Sequence, residues 1–165
     1  MNAQQLHDHI IKPTLEYMGG NYYSKDAAFL LLCTAAIESN CGEYIKQIGG
    51  PALGIFQMEP ATHGDIWMNC DRLKHEKDGI SSSFSHKIIQ LLMPLEGGID
   101  ESLIVSPMYS CAMARLKYSM DSAPLPDRND IKAVYREYKR IYNTPLGAST
   151  YEKFLSALAS NRIID

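Results

Sequence analysis

The sequence predicts an all-α or mainly α single domain of six to seven helices, with at most a very small sheet near residues 49–58. Three observations carry this. Apolar residues recur at helical spacing through most of the chain, and Ser, Asp or Pro stands where every periodic run after the first begins. The run AAFLLLCTAAI is apolar on every face, as a helix in the middle of a core must be, and it is too short to span a membrane. Glycine and proline gather between the periodic runs instead of inside strands of alternating pattern.

Taken in order, Leu6, Ile10, Ile11, Leu15 and Met18 define a first helix over residues 4 to 18, bent at Pro13 and stopped by Gly19-Gly20. Ser24 caps a second helix from about Lys25 to Ser39, with Asp26 in its first turn. Residues 40 to 52, with Gly42, Gly49, Gly50 and Pro51, read as loop, and LGIFQM as a short extended piece or tight turn. Pro60 opens a short helix carrying Ile66 and Trp67. After a polar linker from Asn69 to Gly79, the serines at 81 to 83 cap a helix through Phe84, Ile88, Ile89, Leu91 and Leu92 that Pro94 ends. Gly97-Gly98 marks a loop.

Ser106-Pro107 starts a helix to about Met120, with Met108, Cys111, Ala112, Arg115 and Tyr118 as its inward positions. PLPDRND breaks the chain again. Asp127 with Asp130 then starts a helix through Val134, Tyr135, Tyr138, Ile141 and Tyr142, which stops before Thr144-Pro145. Ser149 with Glu152 forms a capping-box pattern for a last helix to about Ser160.

Composition narrows the function classes. At 165 residues the chain is long enough to bury about two thirds of its unfolded surface around one core. A net charge of −3 opposes broad electrostatic binding to nucleic acid or anionic membrane. Mean hydropathy of −0.20 and 21% charged residues describe an ordinary globular chain. The N-terminal MNAQQLHDHI lacks the basic and apolar regions of a secretory signal, so a product made in the cytoplasm is expected, which something else must carry to any target outside. Cys33, Cys41, Cys70 and Cys111 form no CxxC pair and read as free buried thiols. His7-x-His9 and His75-Glu76 fit no metal-ligand spacing, so no metal or cofactor is expected.

The chemistry is expected at Glu38. A glycosidase needs a carboxylic acid that keeps its proton near neutral pH, and both burial and the negative end of a helix dipole raise a carboxyl pKa. A glutamate ending a strongly apolar helix meets both conditions, although a solvated residue in a fraying last turn has the same sequence signature.

Ile37-Glu38-Ser39, followed by Gly54-Ile55-Phe56-Gln57-Met58 and then Pro60-Ala61-Thr62, resembles the pattern of the soluble lytic transglycosylases and goose-type lysozymes. The resemblance covers residues 34 to 62 and touches 135 to 147, where Tyr142-Asn143 matches a late tyrosine-asparagine pair; Thr144-Pro145 follows where the family more often has alanine-glycine. It implies a lysozyme-like domain over residues 1–165, with Glu38 as catalytic acid/base and Ser39, Phe56, Gln57 and Tyr142 on the substrate side; Glu59 joins them only as the neighbour of Gln57, an exposed loop glutamate being the alternative. The implied substrate is the peptidoglycan glycan strand, cut between N-acetylmuramic acid and N-acetylglucosamine. The implied enzyme is a monomer resembling short bacteriophage muralytic enzymes, delivered by a holin or as part of a virion.

Within that family a lytic transglycosylase works with one glutamate, whereas a hydrolase adds a second carboxylate, for which Glu43, Glu59 and Asp65 are the candidates. Tyr22, Tyr23, Tyr44 and Trp67 are candidate cleft walls. Two readings of other classes compete. Cys41 with His63 or His86 would make a cysteine-dependent peptidoglycan peptidase or amidase. A virion or cell-wall binding module would keep the fold without turnover, and would have no need of an acid at Glu38.

Overall fold

The computed structural model describes residues 1–73, 83–92, 98–144 and 147–165. Ser81, Ser82, Pro94, Gly97, Pro145 and the His75-Glu76 pair lie outside them.

Helix α1 (Ala3–Leu6), a π turn (His7–Ile11) and α2 (Lys12–Met18) run as one continuous helix, started by Asn2, whose side chain accepts the Gln5 N–H. Pro13 has no N–H to donate, and its ring crowds the carbonyl four residues back. The irregularity expected there takes the form of the π turn just before it, where the Lys12 N–H reaches back to the His7 carbonyl.

Helix α3 (Lys25–Ser39) has the bounds the sequence predicts, with Ser24 Oγ accepting the Ala27 N–H at 2.9 Å. Leu30, Leu31, Cys33, Ala35 and Ala36 are all buried, because α3 packs among the N-terminal helix, α7 (Pro107–Ser119) and α9 (Tyr151–Ser160). Burying each large aliphatic residue here stabilises by about 1.5–3 kcal/mol. Asn40 adopts a left-handed conformation and stops the helix, at φ 51°.

Beyond it the chain forms two isolated antiparallel bridges, Lys46 with Leu53 and Leu53 with Met58, which are all of the small sheet found among the described residues. Helix α4 (Pro60–Asn69) opens on its proline as expected. Helix α5 (Ser83–Gln90) ends two residues earlier than its apolar pattern suggests, and Tyr17 fastens that end by donating to Gln90 Oε1 at 2.7 Å.

A 3₁₀ turn (Ile99–Glu101) and α6 (Ser102–Val105) fill the stretch between the Gly97-Gly98 pair and Ser106, where seven residues are too few to establish a helical period in the sequence. With α1 and α2 taken as one, α6 brings the helices among the described residues to eight, against the six to seven expected.

Ser106 caps α7 and Asp130 caps α8 (Ile131–Glu137), while Asp127 holds the preceding turn through the Asn129 N–H. From Tyr138 to Asn143 the helix continues as a second π segment. The N-cap of α9 is Thr150, not Ser149: Thr150 Oγ1 accepts the Lys153 N–H, and Ser149 Oγ is buried with no partner among the described residues. A three-residue spacing to a backbone N–H selects the cap, and Thr150 has it.

Candidate active site

Glu38 stands in the last turn of α3 and lines a cavity of about 580 Å³, together with Gln47, Gln57, Glu59, Lys117, Tyr142 and Asn143 among others. Burial pushes its carboxyl pKa up from the ordinary range. Opposing this, the Tyr138 hydroxyl donates to Glu38 Oε1 at 2.7 Å and favours the charged form, but burial is the larger effect. The result is a partly buried carboxylic acid with a raised pKa facing a cavity.

The turn from Leu53 to Met58 supplies a second part of the lining through Gln57 and Met58. The two end residues exchange backbone hydrogen bonds at 2.9 Å each, so residues 54 to 57 must reverse the chain. Gly54 makes this possible: its φ is +75°, and a Cβ there would lie 2.1 Å from the Leu103 carbonyl oxygen. Gln57, also left-handed at φ 45°, lines the cavity while its Nε2 donates to the Gly54 carbonyl at 2.8 Å.

The π segment supplies the third side. A π turn, bonded i→i+5, brings residues four and five apart onto one face, which places Tyr138 and Tyr142 together. Their rings stack at 6.5 Å, and Tyr142 stacks at 5.6 Å on Tyr118 of α7. The Tyr118 hydroxyl bonds Thr34 Oγ1 at 2.8 Å, one turn before Glu38 on α3. The Tyr142 hydroxyl donates to the Phe56 carbonyl at 2.9 Å. Helix α3, α7, the π segment and the turn are thus joined by polar contacts around one cavity.

Of the residues expected on the substrate side, Gln57, Glu59 and Tyr142 line the cavity with Glu38. Ser39 and Phe56 do not line it. Ser39 is buried, its hydroxyl donating to the Ile55 carbonyl and accepting the Gly42 N–H, so it ties α3 to the turn. The Phe56 ring is fully buried in the core, and only its carbonyl serves the site, through Tyr142.

The four candidate aromatic walls lie elsewhere than on the cavity lining. Tyr22 stacks on Phe84 at 4.9 Å inside the core, Trp67 donates to the Tyr109 hydroxyl, and neither Tyr23 nor Tyr44 lines the cavity. Arg115 is buried, donating from Nε to the Tyr22 carbonyl at 3.0 Å. Among the other candidate carboxylates, Glu43 accepts from the Asn40 amide and Asp65 from the Asn69 amide, away from the cavity lining.

The four cysteines are free and buried, as expected. Burial pushes the Cys41 thiol up to about 11, which opposes a nucleophilic thiolate. His63 belongs to a separate buried network, bonded to Asp100 through Nδ1 and to the Tyr109 hydroxyl through Nε2 at 2.6 Å. No group of His, Cys, Asp and Glu suited to a metal ion occurs among the described residues, and none of the described helices is long and apolar enough to cross a membrane.

Two residues at the site, Tyr138 and Lys117, escape sequence reasoning. Tyr138 looks like one member of a packing stripe with Tyr135 and Tyr142, and only its position facing Glu38 distinguishes it. Lys117 falls on the helix face between the apolar positions, where a lysine normally meets solvent, yet it lines the cavity. The tyrosine at 138, one helical turn before Tyr142, is the one signal that pointed towards either.

Comparison of the chain with protein-family models, with curated proteins and with solved structures gave no match.

Proposed function

We propose that this chain is a peptidoglycan-degrading glycosidase of the lytic transglycosylase type, cutting between N-acetylmuramic acid and N-acetylglucosamine with Glu38 as its single acid/base. The observation that carries the reading is the carboxyl of Glu38, its pKa raised by burial, at the wall of a 580 Å³ cavity between Gln57 and Tyr142. The resemblance of residues 37–39, 54–62 and 142–143 to that family supports it independently of the geometry.

In the proposed reaction Glu38 donates its proton to the glycosidic oxygen as the bond to the muramyl C1 breaks. The substrate's own N-acetyl group stabilises the cation that forms. Glu38, now a carboxylate, takes the proton from the muramyl 6-hydroxyl as that oxygen closes a 1,6-anhydro ring on C1. With Oε1 occupied by the Tyr138 hydroxyl, Oε2 is the oxygen that carries the transferred proton. Gln57 and Asn143 supply amide groups suited to sugar hydroxyls and acetamides, and Tyr142 is held in place by its bond to Phe56.

A hydrolytic lysozyme is the second reading, favoured by Glu59, which lines the same cavity and is a candidate to activate water. Mass spectrometry of fragments released from purified peptidoglycan separates the two. Anhydro-muramyl ends, lighter by one water than reducing ends, are expected from the wild type, and no fragments from E38Q. Reducing ends would move the assignment to the hydrolase, and undiminished release by E38Q would remove Glu38 from the chemistry.

A further inference from the structure

Lys117 has no part in the proton transfers just described, yet it is the one cationic side chain among the described residues lining the cavity. It comes from α7, is partly buried, and its ammonium lies 5.7 Å from the centre of the Tyr142 ring. The face of that ring carries partial negative charge and holds a cation in place without neutralising it. Glu59 and Asp65 act on the ammonium through space, but no ion pair within 4 Å involves Lys117 among the described residues. Lys139, on the π segment nearby, is different: its ammonium donates to Asn143 Oδ1 at 2.8 Å and to the Gly147 carbonyl at 2.6 Å, so two of its three donors are already engaged within the protein.

A partly desolvated ammonium beside a cavity is costly unless a counter-charge arrives. Burial in fact disfavours the charged form of Lys117 more than its two distant carboxylates favour it. Neutral sugar hydroxyls and acetamides are served by Gln57 and Asn143, and neither needs a positive charge. What an uncommitted ammonium adds is affinity for an anion.

From this placement we infer that Lys117 is the specificity residue of the cavity, and that it binds a carboxylate carried by the lactyl side chain of the muramyl sugar. The inference rests on the peptidoglycan reading of the site. In strands stripped of peptide the group is the lactyl carboxylate itself; in strands that keep their peptides the lactyl group is an amide and the carboxylate belongs to the stem. Both present the same chemistry to the ammonium. A neutral glycan of N-acetylglucosamine alone offers neither.

The test uses the full-length E38Q protein, which binds without turnover, and measures dissociation constants by calorimetry for four strands: peptide-bearing and peptide-stripped, each with its carboxylates free or converted to primary amides. E38Q is expected to bind free-carboxylate strands about tenfold more tightly than the amidated ones. E38Q/K117M is expected to lose that discrimination and E38Q/K117R to keep it. Discrimination confined to the peptide-bearing pair assigns the contact to the stem, and discrimination confined to the stripped pair assigns it to the lactyl group. Equal binding of free and amidated strands by E38Q, or discrimination that survives K117M, overturns the role of Lys117 while wild-type cleavage of the strands stands. Absence of both binding and cleavage overturns the peptidoglycan reading itself, and this role with it.

Discussion

The Tyr138 hydroxyl and the Glu38 carboxyl, one hundred residues apart in the chain, meet at 2.7 Å, and the tyrosine is the donor. A donor to the carboxylate stabilises its charged form and so opposes the effect of burial on the same group. The acidity of Glu38 is therefore set by two opposed contributions, and the smaller can be removed alone.

Replacing Tyr138 with Phe keeps the ring and deletes the donor. The Glu38 pKa is then expected to rise further, because burial acts unopposed. A general acid is lost as pH climbs through its pKa, so the alkaline limb of the pH–activity profile should move to higher pH in Y138F. Stability should fall by about 1 kcal/mol for the lost hydrogen bond. Turbidimetric lysis of cell-wall suspensions across pH, with urea unfolding alongside, checks both. An alkaline limb that stays in place or moves to lower pH would show that Tyr138 does not tune this acid.

The raised pKa of Glu38 also makes a statement about stability. Its folded pKa lies above the unfolded value of about 4.3, so the native state holds the proton to higher pH than the unfolded chain does. Stability contributed by this group is then whole below about pH 4, falls as pH rises from there through the folded pKa, and stays reduced above it. The amide in E38Q carries no such penalty. E38Q is expected to melt higher than wild type at neutral pH, with the gap closing towards pH 4. Thermal denaturation of both proteins over that range measures it, and a gap that widens on acidification would contradict the assignment of a raised pKa.

Gly54 carries the turn that presents Gln57. An alanine there must hold φ +75° and put its methyl 2.1 Å from the Leu103 carbonyl oxygen and 2.6 Å from Ser110 Oγ. Backbone strain alone costs about 1–3 kcal/mol, and the contact adds to it. G54A is expected to lose at least about 2 kcal/mol in urea unfolding and to lower lytic activity by displacing Gln57. Wild-type stability in G54A would mean that the turn from Leu53 to Met58 is built differently.

Local rules were enough for the helices because their signals lie in the elements themselves. Ser24, Ser106 and Asp130 each accept the backbone N–H three residues on, as their positions before apolar runs imply. They failed where the deciding partner is distant or the element short. Helix α6 is four residues long, and the choice of Thr150 over Ser149 as the cap of α9 rests on a difference of one residue.

At the site the same division holds. That Glu38 ends a buried helix and that a glycine-containing turn carries Gln57 are properties of continuous stretches of sequence, and both could be read there. Whether Phe56 faces the cavity or the core, and whether Tyr138 or Tyr142 meets the carboxylate, depends on contacts across about a hundred residues. Sequence alone determined the helical order, the central apolar helix and the acid at its end, because periodicity and capping are local. Tertiary structure alone decided that Tyr138 donates to that acid, that Phe56 turns inward and that Lys117 lines the cavity. Those outcomes depend on how α3, α7 and the π segment pack, and the strength of an electrostatic interaction is set by that packing through distance and burial.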